Sequence, residues 1–330
     1  MDQGILQPCS FRDYYRRFGA EIEINALDGR SRPPGEKLPD GIFYISQMLA
    51  SKLQSRVEVA KWHHTHHNTG WVVKPDSSCG MEVCSPVSKG TKGLDNICRV
   101  VEYLHDDPLV VADERCSFHV HVEVNDLSSD ELASVLAYWV KCETVFLDST
   151  PPLRKRNRYC QQLGISDIFE HDSTFTPNQL IAKLSTYKYF SLNTYHFYKG
   201  RRPTIEFRIA ENQACRSPHY VRNWIRLIIH FVECAKKTPF PGPYQEGNPW
   251  SSYLWLEPKD VFTFLGFRPG QSKLSPEMAQ TRDWLLVRLL LNITPTGLPG
   301  VWSDEVRSAA HEQVIELANE LQINSGNSTI

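Results

Sequence analysis

FGAEIEIN at residues 18–25 and SFHVHVEV at residues 117–124 alternate apolar and polar side chains without a break. A β-strand repeats every two residues, so successive side chains point to opposite sides of a sheet. Phe18, Ala20, Ile22 and Ile24 therefore share one side and Glu21 and Glu23 the other. In the second stretch Phe118, Val120, Val122 and Val124 oppose His119, His121 and Glu123. TIEFRIA at 204–210 repeats the pattern, with Ile205, Phe207 and Ile209 against Glu206 and Arg208. Met81 to Cys84 is a shorter strand carrying Glu82 and closed by Pro86; Trp71 to Lys74 and Val57 to Trp62 are further short candidates. A solvated strand surface usually carries Thr, Lys, Ser and Gln. Here the non-core positions carry Glu, His and Arg. Four such strands predict an α+β fold: an antiparallel sheet, apolar against helices on one side and acidic on its concave side.

Helical patterns surround these strands. Ile42, Ile45, Leu49 and Leu53 form one stripe, and Leu94, Ile97, Val101 and Leu104 another. Ser128 with Glu131 three residues on is a capping box, opening a helix whose buried positions are Leu132, Leu136, Trp139 and Phe146. Glu143 falls on that apolar side, where a buried pairing with an Arg is expected. Thr176, Pro177 and Gln179 signal a second start, with Pro at the first helical position. Ser217 and Pro218 open a long helix packing Val221, Trp224, Ile228 and Phe231, with Lys236 and Lys237 at its C-terminal end. Residues 239–258 are rich in Pro and read as a linker or an ordered loop. Helices follow near 259–265, 276–292 and 304–322, with a turn-rich Thr294–Gly300 between the last two.

The chain has 330 residues, room for about two domains, and 36 Lys and Arg against 38 Asp and Glu give a formal charge of −2. That balance lacks the broad basic field of a non-specific nucleic-acid binder, and no nucleic-acid partner is expected. The 9 cysteines are scattered, with no CxxC pair, and read as reduced thiols of an intracellular, cytoplasmic protein. Residues 1–17 contain no apolar signal segment. The most apolar stretches, Trp224 to Ala235 and Trp284 to Ile293, are too short and too charged to span a membrane.

Carboxylates that face one another repel and take up protons unless cations neutralise them. An oxygen-rich site with about one imidazole suits Mg²⁺ or Mn²⁺ better than Zn²⁺, and such a surface is a natural seat for a nucleoside triphosphate. Taken singly, ExE reads as a solvated strand edge and IEFR as a cross-strand ion pair. Their co-occurrence with HVH, each on a strand of the correct alternation, favours a metal site.

The ordered set FGAEIEI, WVVKPDSSCGMEVCSP, CSFHVHVEV, PPLRKRNRY, KYFSLN and PTIEFRIA resembles the putative amidoligase family, over roughly residues 17–235. That family belongs to the carboxylate–amine ligase superfamily, with glutamine synthetase and glutamate–cysteine ligase. The resemblance implies a glutamine-synthetase-like catalytic sheet working with ATP and two or more Mg²⁺ (or Mn²⁺). It implies metal ligation by Glu21, Glu23, Glu82, His119 and Glu206, a nucleotide-side imidazole at His121, and a phosphate clamp at Arg208. It also places an Arg near the basic loop of Arg154, Lys155, Arg156 and Arg158, which favours Arg154 or Arg158 as a phosphate or substrate contact. Lys74, Asp76 and Ser77 match a stretch that lines the pocket, with Lys74 as a candidate nucleotide contact; Asp76 or Glu123 is the candidate general base. Residues 1–238 then form the catalytic domain, and 239–330 a Pro-rich connection with a helical lobe.

Two other clusters read differently. His63, His64, His66 and His67 lack the spacing of a closed zinc site and read as a substrate-facing or solvated loop. Lys199, Arg201 and Arg202 read as a solvated hairpin tip. The expected activity is ATP-dependent formation of an amide or isopeptide bond through an acyl phosphate, from a small-molecule or peptide carboxylate and an amine. The alternatives are a metal-dependent hydrolase on a similar sheet, or an inactive interaction protein retaining the fold. Arg208 and the basic loop favour phosphoryl transfer over hydrolysis.

Overall fold

A computed structural model describes residues 15–26, 40–61, 69–163, 176–240, 256–268, 274–293 and 304–322. His63, His64, His66 and His67, the 294–300 turn and most of the Pro-rich 239–258 stretch lie outside these residues. In chain order the strands are β1 (Arg17–Ala26), β2 (Val57–Val59), β3 (Trp71–Asp76), β4 (Gly80–Cys84), β5 (Ser88–Lys89), β6 (Val110–Val111), β7 (Phe118–Glu123), β8 (Leu192–Asn193) and β9 (Thr204–Ala210). The helices are α1 (Asp40–Leu53), α2 (Gly90–Asp106), α3 (Ser129–Asp148), α4 (Pro177–Leu184), α5 (Tyr195–Tyr198), α6 (Pro218–Ala235), α7 (Pro258–Phe264), α8 (Pro276–Asn292) and α9 (Asp304–Glu320). By contacts the described chain divides into a sheet unit, Tyr15–Glu123 with Glu206–Ile225, and a helical unit, Val124–Ile205 with Arg226–Ile330.

The sheet unit carries the order β2-β3-β4-β1-β7-β9, with β5 and β6 also pairing with β1. β1 is antiparallel to β4 and β7, and β3 to β4; the β2–β3 pair is parallel. Alternation decides what faces the core. Phe18, Ala20, Ile22, Ile24, Val83, Phe118, Val120 and Val122 are all buried, and α2 packs against β1 while α1 packs against β2 and β3. The stripes Ile42, Ile45, Leu49 and Leu94, Ile97, Val101, Leu104 are buried, as an amphipathic helix over a sheet requires. β2 is shorter than the 57–62 pattern, although Ala60 N still bonds Val73 O at 3.0 Å. The β3–β4 turn needs its glycine. Gly80 has φ +141°, and a Cβ there would lie 2.2 Å from Asn25 Oδ1, so this turn, and with it the register of β4, depends on a residue without a side chain.

The helical unit is built on α3. Ser128 Oγ accepts from Glu131 N at 3.2 Å and Glu131 Oε2 accepts from Ser128 N at 2.8 Å, completing the capping box. The same reciprocal pair closes Thr176 and Gln179 at the start of α4. Trp139 and Phe146 of α3 meet Phe231 of α6 at ring-centroid distances of 5.4 and 5.7 Å. Such edge-on aromatic packing adds to simple burial. Among the described residues, no helix is long and apolar enough to cross a membrane.

Candidate active site

The non-core positions of β1, β4, β7 and β9 meet within the sheet unit. Register accounts for most of the assembly. Glu21 lies opposite His119, Glu23 opposite Glu82, and Glu82 opposite Lys74. Side chains directly opposite on adjacent strands project to the same side of the sheet, so four strands, β1, β3, β4 and β7, deliver their polar residues to one place.

His119 is the centre of this group and is fully buried. Its Nδ1 is 3.2 Å from Glu206 Oε1 and 3.5 Å from Glu21 Oε2. Its Nε2 is 2.8 Å from Ser117 Oγ. The Ser117 hydroxyl donates to Glu23 Oε2 at 2.6 Å. With that proton committed to Glu23, the Ser117 oxygen is left to accept from His119 Nε2–H. The network thus ties Nε2 to Glu23 through Ser117 and turns Nδ1 towards Glu21 and Glu206. Glu21, His119 and Glu206 each offer a ligand atom within 4.8 Å of one another. Two carboxylates and one imidazole form a donor set that fits Mn²⁺ or Mg²⁺. Glu21, Glu82 and Cys84 form a second such grouping, and Glu23, Asp76 and Cys79 a third.

Around this core, His121 Nε2 lies 3.1 Å from Glu21 Oε1, Arg208 forms an ion pair with Glu206, and Lys74 forms one with Glu82. Asp76 uses Oδ1 to accept from Ser78 N at 2.7 Å and Cys79 N at 3.3 Å, which shapes the turn leading into β4. Glu123, at the end of β7, is held by Arg17, whose Nε donates to Oε2 at 2.7 Å.

The charges are distributed unevenly. Burial alone would raise Glu206, but Arg208 and His121 outweigh it and hold the carboxyl down at about 2. Glu21 likewise overcomes burial, through His121 and His119, and stays well below the ordinary carboxylate range. Burial pushes Glu82 well up, helped by the negative charge of Glu21 and opposed by Lys74. Burial also raises Glu23. Arg208 and the imidazoles hold Glu206 and Glu21 down, whereas burial and neighbouring carboxylates raise Glu23 and Glu82, the latter against the pull of Lys74.

The structure thus brings together Glu21, Glu23, Lys74, Asp76, Glu82, His119, His121, Glu206 and Arg208. Arg154 and Arg158 belong to the helical unit. Arg154 is buried. Arg158 is exposed, donates to Tyr159 Oη at 2.8 Å and lies over that ring, 4.8 Å from its centroid. Lys199 and Arg201 are exposed and lie near the Tyr195 ring. Glu143 corrects the sequence reading, because its partners are not an Arg. Leu163 N donates to both carboxylate oxygens at 3.0 Å and the Ser191 hydroxyl donates to Oε1. Ser117 is the functional neighbour that sequence reasoning passed over. It stands two residues before His119, so the same alternation that placed His119 also pointed to it.

A family model described as a putative amidoligase enzyme matches residues 15–232. No curated protein matches the chain.

Proposed function

The chain belongs to the putative amidoligase family, and from that premise we propose that it is an ATP-dependent ligase joining a carboxylate to an amine through an acyl phosphate. The observation that carries this reading is the convergence of Glu21, His119 and Glu206 within 4.8 Å, with Arg208 paired to Glu206. We read the sheet as glutamine-synthetase-like with an acidic concave side, and residues 1–238 as the catalytic domain.

A carboxylate does not react with an amine until one of its oxygens becomes a leaving group. In the proposed reaction a carboxylate oxygen of the acid attacks the terminal phosphorus of ATP and ADP leaves. The amine nitrogen then attacks the acyl carbon, inorganic phosphate leaves and the amine gives up a proton. The residues have distinct tasks. Glu21, His119 and Glu206 would hold Mg²⁺ or Mn²⁺, which supplies charge neutralisation on the phosphates. Glu23 orients His119 through Ser117. Arg208 offers a planar fork to phosphoryl oxygens, and the low pKa of Glu206 keeps the pair charged. His121 stands on the nucleotide side. Asp76 spends Oδ1 on the turn, and its other oxygen is the candidate acceptor for the amine proton. Arg154 and Arg158 enter this reading through the family resemblance alone. A hydrolase would not require Arg208 beside a metal ligand.

The test is product analysis with Mg²⁺–ATP and pooled acids and amines. ADP with phosphate, dependent on both co-substrates, is expected. AMP with pyrophosphate would replace this route by adenylation.

A further inference from the structure

Glu82 stands between two residues of opposite charge, Lys74 on β3 and Glu23 on β1, each directly opposite it in register. The placement of Lys74 is set by the backbone. Turning its side chain to the other side of the sheet would take a one-residue slip of β3, and that would bring the fully buried Val73 out of the core. The Lys74 ammonium forms an ion pair with Glu82 Oε1, with side-chain exposures of only 10% and 8%. The charge of Glu21 acts on the same ammonium.

This ammonium lies at the grouping of Glu21, Glu82 and Cys84, whose ligand atoms are all within 4.8 Å of one another. A divalent ion there would have to share Glu82 with a cation already in contact with it, and the two cations would repel. The charge count of the cluster agrees. Glu21, Glu23, Asp76, Glu82 and Glu206 set five carboxylates against the two fixed cations Lys74 and Arg208. One of the positions where carboxylates converge is thus already neutralised from within the chain.

We propose that Lys74 is a built-in cation of this site: its ammonium takes the seat formed by Glu21, Glu82 and Cys84, divalent-ion binding falls to Glu21, His119 and Glu206, and Glu82 is not a metal ligand. The inference rests on the reading of the cluster as a metal site. It revises the five-residue ligand set implied by the family resemblance. It also gives Lys74 a role distinct from a nucleotide contact, that of a permanent charge that does not exchange with free Mg²⁺.

The experiment is a Mn²⁺ titration of the full chain, with free ion read by electron paramagnetic resonance and folding checked by circular dichroism. Lys74→Met frees Glu82 and opens the seat, so this variant should bind one more Mn²⁺ per chain than the wild type. Lys74→Met combined with Glu82→Gln removes the pair without changing net charge, so it should return to the wild-type number of ions. Glu21→Gln should weaken Mn²⁺ binding by about 10–100-fold, on the scale of losing a group that holds or orients a metal. Loss of an ion in the double variant would make Glu82 a ligand and overturn the proposal. So would the absence of an additional ion in a folded Lys74→Met. Should Lys74→Met fail to fold, the double variant decides alone, because it leaves no buried charge unpaired. A wild type that retains no Mn²⁺, or a Glu21→Gln variant that binds as the wild type does, would instead overturn the metal-site reading on which the proposal rests.

Discussion

In the sheet unit Glu21, Glu23, Glu82, His119 and Glu206 are gathered against one another, whereas in the helical unit Glu143 and His230 are each buried apart from any such cluster. Glu143 meets Leu163 N and the Ser191 hydroxyl. His230 Nε2 lies 2.8 Å from Leu265 O, and its ring stacks on Phe267 at a centroid distance of 5.3 Å. Burial drives each lone group to its neutral form. Glu143 is pushed up to about 8, and His230 is lowered to about 4. The cluster behaves otherwise. Glu206 is held at about 2 and Glu21 well down, while Glu23 and Glu82 are raised. A lone buried group can shed its charge and serve as packing. A cluster that keeps charge in the interior carries a desolvation cost of several kcal/mol per ion, which is reasonable where a cationic ligand is bound.

The comparison breaks first at Arg208. A lysine ammonium cannot reproduce the guanidinium fork, and in the proposed reaction the contact would strengthen as charge develops on the phosphoryl oxygens. Arg208→Lys should lower turnover by roughly 10²-fold or more, with a smaller change in nucleotide affinity. Near-normal turnover would reduce Arg208 to a structural partner of Glu206.

Ser117→Ala tests whether the cluster is organised around the imidazole. Losing the hydroxyl removes the anchor of the His119 ring and should weaken Mn²⁺ binding by about 10-fold, while far-UV circular dichroism stays as in the wild type. Unchanged affinity would show that Ser117 does not orient His119.

In the helical unit the same kind of change should touch stability and leave metal binding alone. Glu143→Ala strands Leu163 N and the Ser191 hydroxyl in the core and should cost about 1–3 kcal/mol, read by urea unfolding. A loss of Mn²⁺ affinity in this variant would erase the distinction between the units. The pH dependence sharpens it. The unfolded Glu143 carboxyl releases its proton near 4.5 and the folded one near 8, so between those values the folded chain holds the extra proton. Its contribution is complete below about pH 4.5 and is lost as pH rises to about 8, with a slope of at most about 1.4 kcal/mol per pH unit. Glu143→Gln should remove that component.

His230 gives a smaller shift than Glu143 and the opposite sign. Its folded pKa lies below that of the unfolded chain. The stability it contributes is therefore present above about pH 6.5 and lost as pH falls towards 4. Imidazole NMR shifts that titrate near 6.5 in the folded protein would contradict the burial argument.

Much of this arrangement was legible in the sequence because it depends on period. The alternation of FGAEIEIN, SFHVHVEV and TIEFRIA runs long enough to assign both sides of β1, β7 and β9, and the capping boxes at Ser128 and Thr176 fixed two helix starts. Register is not local. The Lys74–Glu82 pair depends on how β3 meets β4 across a turn held by Gly80. β5 and β6 are two residues each, too short for a period to show. Glu143 finds its partners 20 and 48 residues further along the chain, where no local pattern points. Ser117 was within reach, since extending the His119–His121–Glu123 alternation one step back arrives at it.

The central claim is that Glu21, His119 and Glu206 hold a divalent ion for a nucleotide. Thermal unfolding of the full chain with Mg²⁺ alone, ATP alone and both together tests it most directly. A ligand selective for the native state stabilises by about 2.7 kcal/mol at a hundred times its Kd. The wild type should show a clear rise in Tm with Mg²⁺ and ATP together, larger than the sum of the two alone, and Glu206→Gln should abolish that rise while remaining folded. An equal rise in Glu206→Gln, or no rise in the wild type, would contradict the account.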